Sequence, residues 1–301
     1  MTGTSPQSMV EPALAEAASF VERTLDTLLP QAAGPESRVL EAMRYAALGG
    51  GKRLRGFLVL QTGRLFSVDR RASARVAAAV ECVHAYSLVH DDLPAMDNDD
   101  MRRGKPSTHK AFDEATAILA GDALLTLAFG LLSSPETHGD PFVRCELVTK
   151  LAQAAGHAGM VGGQMMDIAF EGQNPPLPEI TRLQRMKTAA LFMFSCEAGA
   201  IMGKASAPLR TAIATYGQEM GLAFQIADDL LDAEGDPARM GKAAQKDASK
   251  GKPTVVSVMG PERARAQAEA MAHQAVRHLD LFDEKADLLR AAAEFVVVRR
   301  A

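Results

Sequence analysis

The chain has 301 residues, of which 47% are apolar and 23% charged, with a formal net charge of -4 and a pI near 6.0. That length allows a large buried core, and the charge balance lacks the basic excess of a nucleic-acid binder. Trp is absent and aromatics are only 5%, a composition that favours helices over sheet.

Residues 1–10 read as a loose polar tail without the basic and apolar regions of a signal peptide. Residues 11–29 carry apolar side chains at helical spacing and end at Pro30, and Gly34-Pro35 marks a turn. A second helical stretch covers 37–48 and stops at Gly49-Gly50-Gly51. A third covers 54–66 and a fourth 71–90. Further helices are expected at 112–133, 141–170, 178–204, 208–233, 260–280 and 284–299. The breaks fall where Gly, Pro, Asp and Asn cluster, as in Gln173-Asn174-Pro175-Pro176 and the polar stretch 235–253. No alternating strand pattern, internal repeat or linker composition interrupts this run. The expected architecture is all-α, one domain over 11–301, a bundle of about ten or more helices. No uncharged apolar run reaches about 18 residues, so no membrane span is expected. Cys82, Cys145 and Cys196 lack zinc spacing and read as reduced core residues, and the expected location is cytoplasmic.

Two acidic clusters interrupt the apolar pattern. The first, Asp91-Asp92-Leu93-Pro94-Ala95-Met96-Asp97-Asn98-Asp99-Asp100, ends the fourth helix. The second, Asp228-Asp229-Leu230-Leu231-Asp232, lies within an apolar helical stretch. Asp228 and Asp232 share a helix face, where like charges repel, and their apolar surroundings add a desolvation cost. A hard cation would offset both penalties. Mg²⁺ takes few protein carboxylates and completes its octahedron with water and phosphate oxygens. Facing clusters of this kind could hold several Mg²⁺ ions around one diphosphate.

The basic complement lies close by. Gly49-Gly50-Gly51-Lys52-Arg53-Leu54-Arg55 leads into a helix N-terminus suited to an anion, and Lys52 and Arg55 are read as sharing a face. Arg102-Arg103-Gly104-Lys105 follows the first acidic cluster, and arginine forks match phosphate oxygens. His84 lies two turns before Asp91. Lys187-Thr188 and the lysines at 242, 246, 250 and 252 add positive charge. Metal-binding and phosphate-binding chemistry together point to two diphosphates in one cavity.

With those motifs in place the chain resembles the trans-polyprenyl diphosphate synthases, and most of all their bacterial farnesyl diphosphate-forming members. The matching segments are Gly50 to Arg55, Glu81 to Asp97, Leu119 to Leu124, Gly162-Gly163-Gln164, Lys187-Thr188 and Gly221 to Asp232. The resemblance implies a helical bundle around a deep central cavity, a homodimer, and about three Mg²⁺ ions per site with Mn²⁺ as a substitute. It implies that Asp91, Asp92 and Asp97 bind metal on one wall and Asp228, Asp229 and Asp232 on the other. Lys52, Arg55, His84 and Arg103 would hold isopentenyl diphosphate. Arg102, Lys187, Lys242 and Lys252 would hold the allylic diphosphate. Lys187, Thr188 and Gln225 would act near the reacting carbons, and the released diphosphate would take up the final proton. Roles for Lys246, Lys250 and the C-terminal Arg299-Arg300-Ala301 stay open.

Product length is expected to depend on residues one to two turns before Asp91. Tyr86 lies about 7.5 Å back along the helix axis, while the helical wheel places Ser87 nearer the face of Asp91. The resemblance associates an aromatic at Tyr86, with the inserted Pro94-Ala95, with a C15 product. A C20 synthase is the alternative, ahead of a terpene cyclase, a head-to-head synthase or a non-catalytic subunit.

Overall fold

The computed structural model describes residues 6–234 and 251–298. The chain begins with α1 (Pro6–Leu28), α2 (Ser37–Ala47), α3 (Leu54–Leu65) and α4 (Arg70–Asp91). A two-stranded hairpin, β1 (Met101–Arg102) and β2 (Lys105–Pro106), leads to the short α5 (Thr108–Ala111) and to α6 (Glu114–Ser133). Then come α7 (Pro141–Ala155), α8 (Met160–Ala169) and α9 (Leu177–Gln184). A π-helical turn (Arg185–Ala189) runs directly into α10 (Ala190–Met202). The long α11 (Ala207–Glu234), α12 (Val255–Met259), α13 (Pro261–His278), a 3₁₀ turn (Glu284–Ala286) and α14 (Asp287–Val298) complete the fold.

Local chemistry explains many of these boundaries. Asp69 accepts from the backbone N–H groups of Arg71 and Ala72 at 2.9 and 3.1 Å and starts α4. Asp113 caps α6 through Thr116 N at 2.8 Å. Asp140 caps α7, where Pro141 occupies the first turn without losing a helical hydrogen bond. The helix α10 is apolar nearly all round and lies inside the bundle, and α3 is buried from Gly56 to Leu60. Phe57, Leu58, Phe192 and Phe194 are among their fully buried side chains. α4 packs between α3 and α6, and α11 packs on α10 and α13. A smaller cluster of Ile180, Ile226, Leu230, Val255, Val256, Ala264 and Ala268 ties α9 and α11–α13 together.

The all-α bundle agrees with the sequence reading, with four differences. The loose stretch expected over 1–10 gives way to helix from Pro6, because Val10 is drawn into the core. The single helix expected over 141–170 breaks at Gly156–Gly159. The stretch expected over 178–204 contains the π-helical turn, whose helical periodicity hides the change of winding. The arginine turn forms a two-residue hairpin, too short to show strand alternation. α6 has a mean hydropathy of 1.9 over a membrane-length window. However, Thr116, Ala117, Ala120, Leu124 and Leu132 are buried against the rest of the bundle.

Candidate active site

The first acidic cluster is shaped by a loop that folds back on the end of α4. Asp97 N donates to Asp91 O at 2.8 Å, Asn98 N to Leu93 O at 3.0 Å and Asp99 N to Asp92 O at 3.1 Å. Asn98 makes this reversal with φ 51°. Asp97 is thereby brought close enough to act on Asp91. Burial, with a contribution from Asp97, raises the Asp91 carboxyl to about 6, although Lys187, Arg102 and Lys252 oppose the shift. Asp92 points elsewhere. It is buried and paired with Arg102, whose Nε lies 3.1 Å from Oδ1 and 3.2 Å from Oδ2. Burial raises Asp92 despite that partner.

The arginine turn closes back onto the glycine-rich loop. Arg103 and Gly104 both have positive φ, 51° and 74°, as a two-residue type I′ hairpin requires. The Arg103 guanidinium donates to Gly50 O and lies over Gly51. A Cβ on Gly51 would sit 2.7 Å from Arg103 Cζ, so only glycine admits this approach. Beneath the loop, Arg53 is buried, 3.4 Å from Glu81, and donates to Ala47 O at 2.5 Å. Glu81 also accepts from Gly56 N at 2.9 Å. These bonds anchor the loop and the start of α3 to α4.

A cavity of about 550 Å³ brings together residues of α3, α4, α8 and the π-helical turn, while Asp228, Asp229 and Asp232 are not in its lining. Its lining includes Arg55, His84, Asp91, Gln164, Lys187 and Thr188, and also the less polar Tyr86, Ser87, Ile118, Met160, Met165 and Leu191. The Arg55 guanidinium packs 4.9 Å from the Phe192 ring centre, and its buried Nε has no hydrogen-bond partner. Burial lowers its pKa, against the pull of Glu81 and Asp228. Burial and then four guanidinium groups, Arg55 first, hold His84 well below the ordinary histidine range. A neutral imidazole results. Lys52 does not join this cavity. Arg53 adopts a left-handed conformation at φ 47° before α3 begins. The helix-face relation expected between Lys52 and Arg55 therefore fails, and Lys52 lines a separate cavity of about 390 Å³ beside α1 and Phe295.

The π-helical turn supplies Lys187 and Thr188, in keeping with the frequency of π-bulges at functional sites. Gly163 on α8 lets that turn pack closely, since a Cβ there would lie 2.3 Å from Lys187 N. Lys187 Nζ lies 2.6 Å from Asp167 Oδ2, and Lys252 Nζ lies 3.0 Å from the same oxygen and 2.9 Å from Asp97 Oδ1. Burial acts against the charge on both Asp167 and Lys252. The paired charges outweigh it, lowering the Asp167 pKa and raising that of Lys252. Asp167 was not anticipated from the sequence. Its only signal there is its position three residues after Gln164 in the Gly162-Gly163-Gln164 segment.

On α11, Asp228 is exposed and its charge acts on Arg55, while Asp229 and Asp232 are buried. Asp229 accepts from Gln184 at 2.8 Å and from Gln225 at 2.8 Å. Gln225 Oε1 accepts from Thr188 at 2.6 Å. This chain of hydrogen bonds connects α9, the π-helical turn and α11, and its member Gln184, like Asp167, was not anticipated from the sequence. Lys242, Lys246 and Lys250, together with Arg299-Arg300-Ala301, lie outside the described residues.

Among the described residues no three His, Cys, Asp or Glu side chains converge as a ready-made metal cage. The donor set nevertheless fits Mg²⁺, which takes one or two carboxylates and completes its shell with phosphate oxygens and water. Asp91, pushed up by burial and by Asp97, is a carboxylate that a cation would favour.

The sequence matches the polyprenyl synthetase family over residues 36–294. It is 45% identical to a farnesyl diphosphate synthase of Escherichia coli over 271 residues, 87% of this chain and 89% of that protein. Among solved structures, an FPP/GFPP synthase from Zymomonas mobilis aligns with a TM-score of 0.86 at 50% identity, covering 96% of this chain and 99% of the other. A geranyltransferase from Helicobacter pylori, complexed with magnesium and isoprenyl diphosphate, aligns with a TM-score of 0.82 at 31% identity, covering 95% and 97%.

Proposed function

This chain belongs to the polyprenyl synthetase family, and on that premise we propose that it joins isopentenyl diphosphate head to tail to dimethylallyl and geranyl diphosphates, forming farnesyl diphosphate. One observation carries the reading. A single cavity holds Asp91, Lys187, Arg55 and His84 together with the aliphatic and aromatic surface around Tyr86, Ile118 and Met165. Such a cavity suits a ligand with an anionic head and a hydrocarbon tail.

Lys187 and Lys252, gathered on Asp167, would take oxygens of the allylic diphosphate, joined by Arg102 and Lys242. Arg55, His84 and Arg103 would bind the diphosphate of isopentenyl diphosphate, with Lys52 contributed by the glycine-rich loop. A neutral His84 can donate one hydrogen bond without adding to the charge of its arginine neighbours. Asp91, Asp97 and Asp228 would hold Mg²⁺, while Asp92 and Asp229, engaged by Arg102 and by Gln184 and Gln225, would orient those side chains. Bound Mg²⁺ supplies Lewis-acid neutralisation of the departing diphosphate. The cationic side chains stabilise the same charge in a site that the apolar lining keeps poor in water. Thr188 and Gln225 would fix the geometry beside the reacting carbons, and the isopentenyl double bond would attack the allylic C1 as its bond to oxygen breaks. Proton loss to the released diphosphate completes the product. The exposed Leu119 on α6, outside the cavity lining, supports a homodimer face, a second copy of this chain being the partner.

The test is incubation of the purified protein with dimethylallyl and isopentenyl diphosphates and Mg²⁺. Farnesyl diphosphate is the expected product. Consumption of the allylic substrate without isopentenyl diphosphate would instead indicate a cyclase.

A further inference from the structure

We propose that His90, seated against Gly121, is a specificity-determining residue that pins the Tyr86 ring across the cavity and so ends chain growth at C15. The inference rests on the reading above that the growing hydrocarbon occupies this cavity.

Tyr86 and His90 are one helical turn apart on α4, and both line the cavity. Helical side chains lean towards the N-terminus, so the imidazole of His90 reaches back over the phenol ring. Their centres are 5.0 Å apart at 80°, an edge-to-face contact. The imidazole is fixed at its other side. Its Nε2–H donates to Ile118 O at 3.0 Å, the carbonyl being able only to accept. The ring also lies on the backbone of α6 at Gly121. A Cβ on that residue would lie 2.2 Å from His90 Nε2 and 2.4 Å from Cδ2. Those atoms are the far edge of the ring, which the bond to Ile118 O holds against α6, so a side chain at position 121 would break that bond and expel the imidazole. The glycine on α6 thus creates the seat, the imidazole fills it, and Tyr86 is held against the imidazole. Tyr86 would otherwise be free to swing about χ1 and lengthen the space beyond Ser87.

The product distribution from geranyl diphosphate and excess isopentenyl diphosphate tests this. Four variants are compared with wild type: Tyr86→Ala, His90→Ala, Gly121→Ala and His90→Phe. His90→Ala and Gly121→Ala should each raise the ratio of C20 and longer products to C15 by about tenfold or more, the scale on which pockets discriminate small apolar differences. His90→Phe keeps an edge-to-face ring in the seat and should retain C15. Adding Gly121→Ala to His90→Ala should lengthen products no further, because the ring it displaces is already gone. General damage to α6 would not produce that non-additivity. If Tyr86→Ala lengthens products while His90→Ala and Gly121→Ala both leave C15 dominant, the role of His90 is overturned and the cavity reading stands. If Tyr86→Ala also leaves C15 unchanged, both fail.

Discussion

At Asp167 one carboxylate oxygen accepts from two ammonium groups that come from different elements, Lys187 at 2.6 Å and Lys252 at 3.0 Å. Under the proposed function the two cations would take neighbouring oxygens of a diphosphate, and the buried carboxylate between them offsets their mutual repulsion. Asp167→Asn keeps the shape and removes the charge. It is expected to lower kcat/KM for the allylic substrate about 10- to 100-fold, as loss of a supporting carboxylate commonly does. Steady-state kinetics with varied allylic diphosphate check this, and a wild-type value would contradict it. Both acidic clusters and the arginine turn were legible in the sequence, because charged residues next to apolar helices are costly without a ligand. Asp167 was not legible, since its partners are 20 and 85 residues away in the chain. The shared face of Lys52 and Arg55 was misread for a local reason: the helix-face argument presupposes helical backbone, and Arg53 is left-handed.

At the scale of elements, the site depends on how helices start and where they approach one another. Long helices such as α3, α4 and α11 were readable because their apolar spacing is sustained and their ends carry Gly, Pro or Asp. The π-helical turn was not, because one extra residue per turn leaves the apolar pattern almost intact. α6, which provides the Gly121 seat, begins at Asp113. That carboxylate accepts from Thr116 N at 2.8 Å and Thr116 Oγ1 at 2.7 Å, and pairs with Arg38 at 2.7 Å. These bonds, the backbone one foremost, lower Asp113 to about 2. A carboxyl depressed in the folded state adds stability above its unfolded value of about 3.9, and that stability is lost as pH falls through about 2. Asp113→Ala should therefore lower the melting temperature at neutral pH, and the gap from wild type should narrow as pH falls from 4 to 2. Melting curves across that range decide it, and a gap that stays constant with pH would refute the assignment.

At the scale of the whole molecule, the first acidic cluster lines the cavity through Asp91, while the second lies on α11 outside its lining. Asp91 ends α4 and Asp228 lies on α11, and between them run α10 and its π-helical turn, which packs on α11 and carries Lys187 and Thr188 into the cavity. The charge of Asp228 acts on Arg55, and that of Lys187 on Asp91. Motifs 137 residues apart, from Asp91 to Asp228, thus each act on a cation that lines the cavity, Asp228 on Arg55 and Asp91 with Lys187. The family's bundle was recognisable from motif order alone, but the lysine network is a property of the packed structure. On this account each wall contributes indispensable ligands, and removing either should slow turnover by about 10²-fold or more. The most direct measurement is Mn²⁺ binding in the presence and absence of diphosphate, followed by electron paramagnetic resonance, on wild type, Asp91→Ala and Asp228→Ala. Diphosphate should strengthen Mn²⁺ binding in the wild type, and each substitution should reduce the number of ions held. If either variant binds Mn²⁺ and diphosphate as the wild type does, the two walls do not share a metal–diphosphate site.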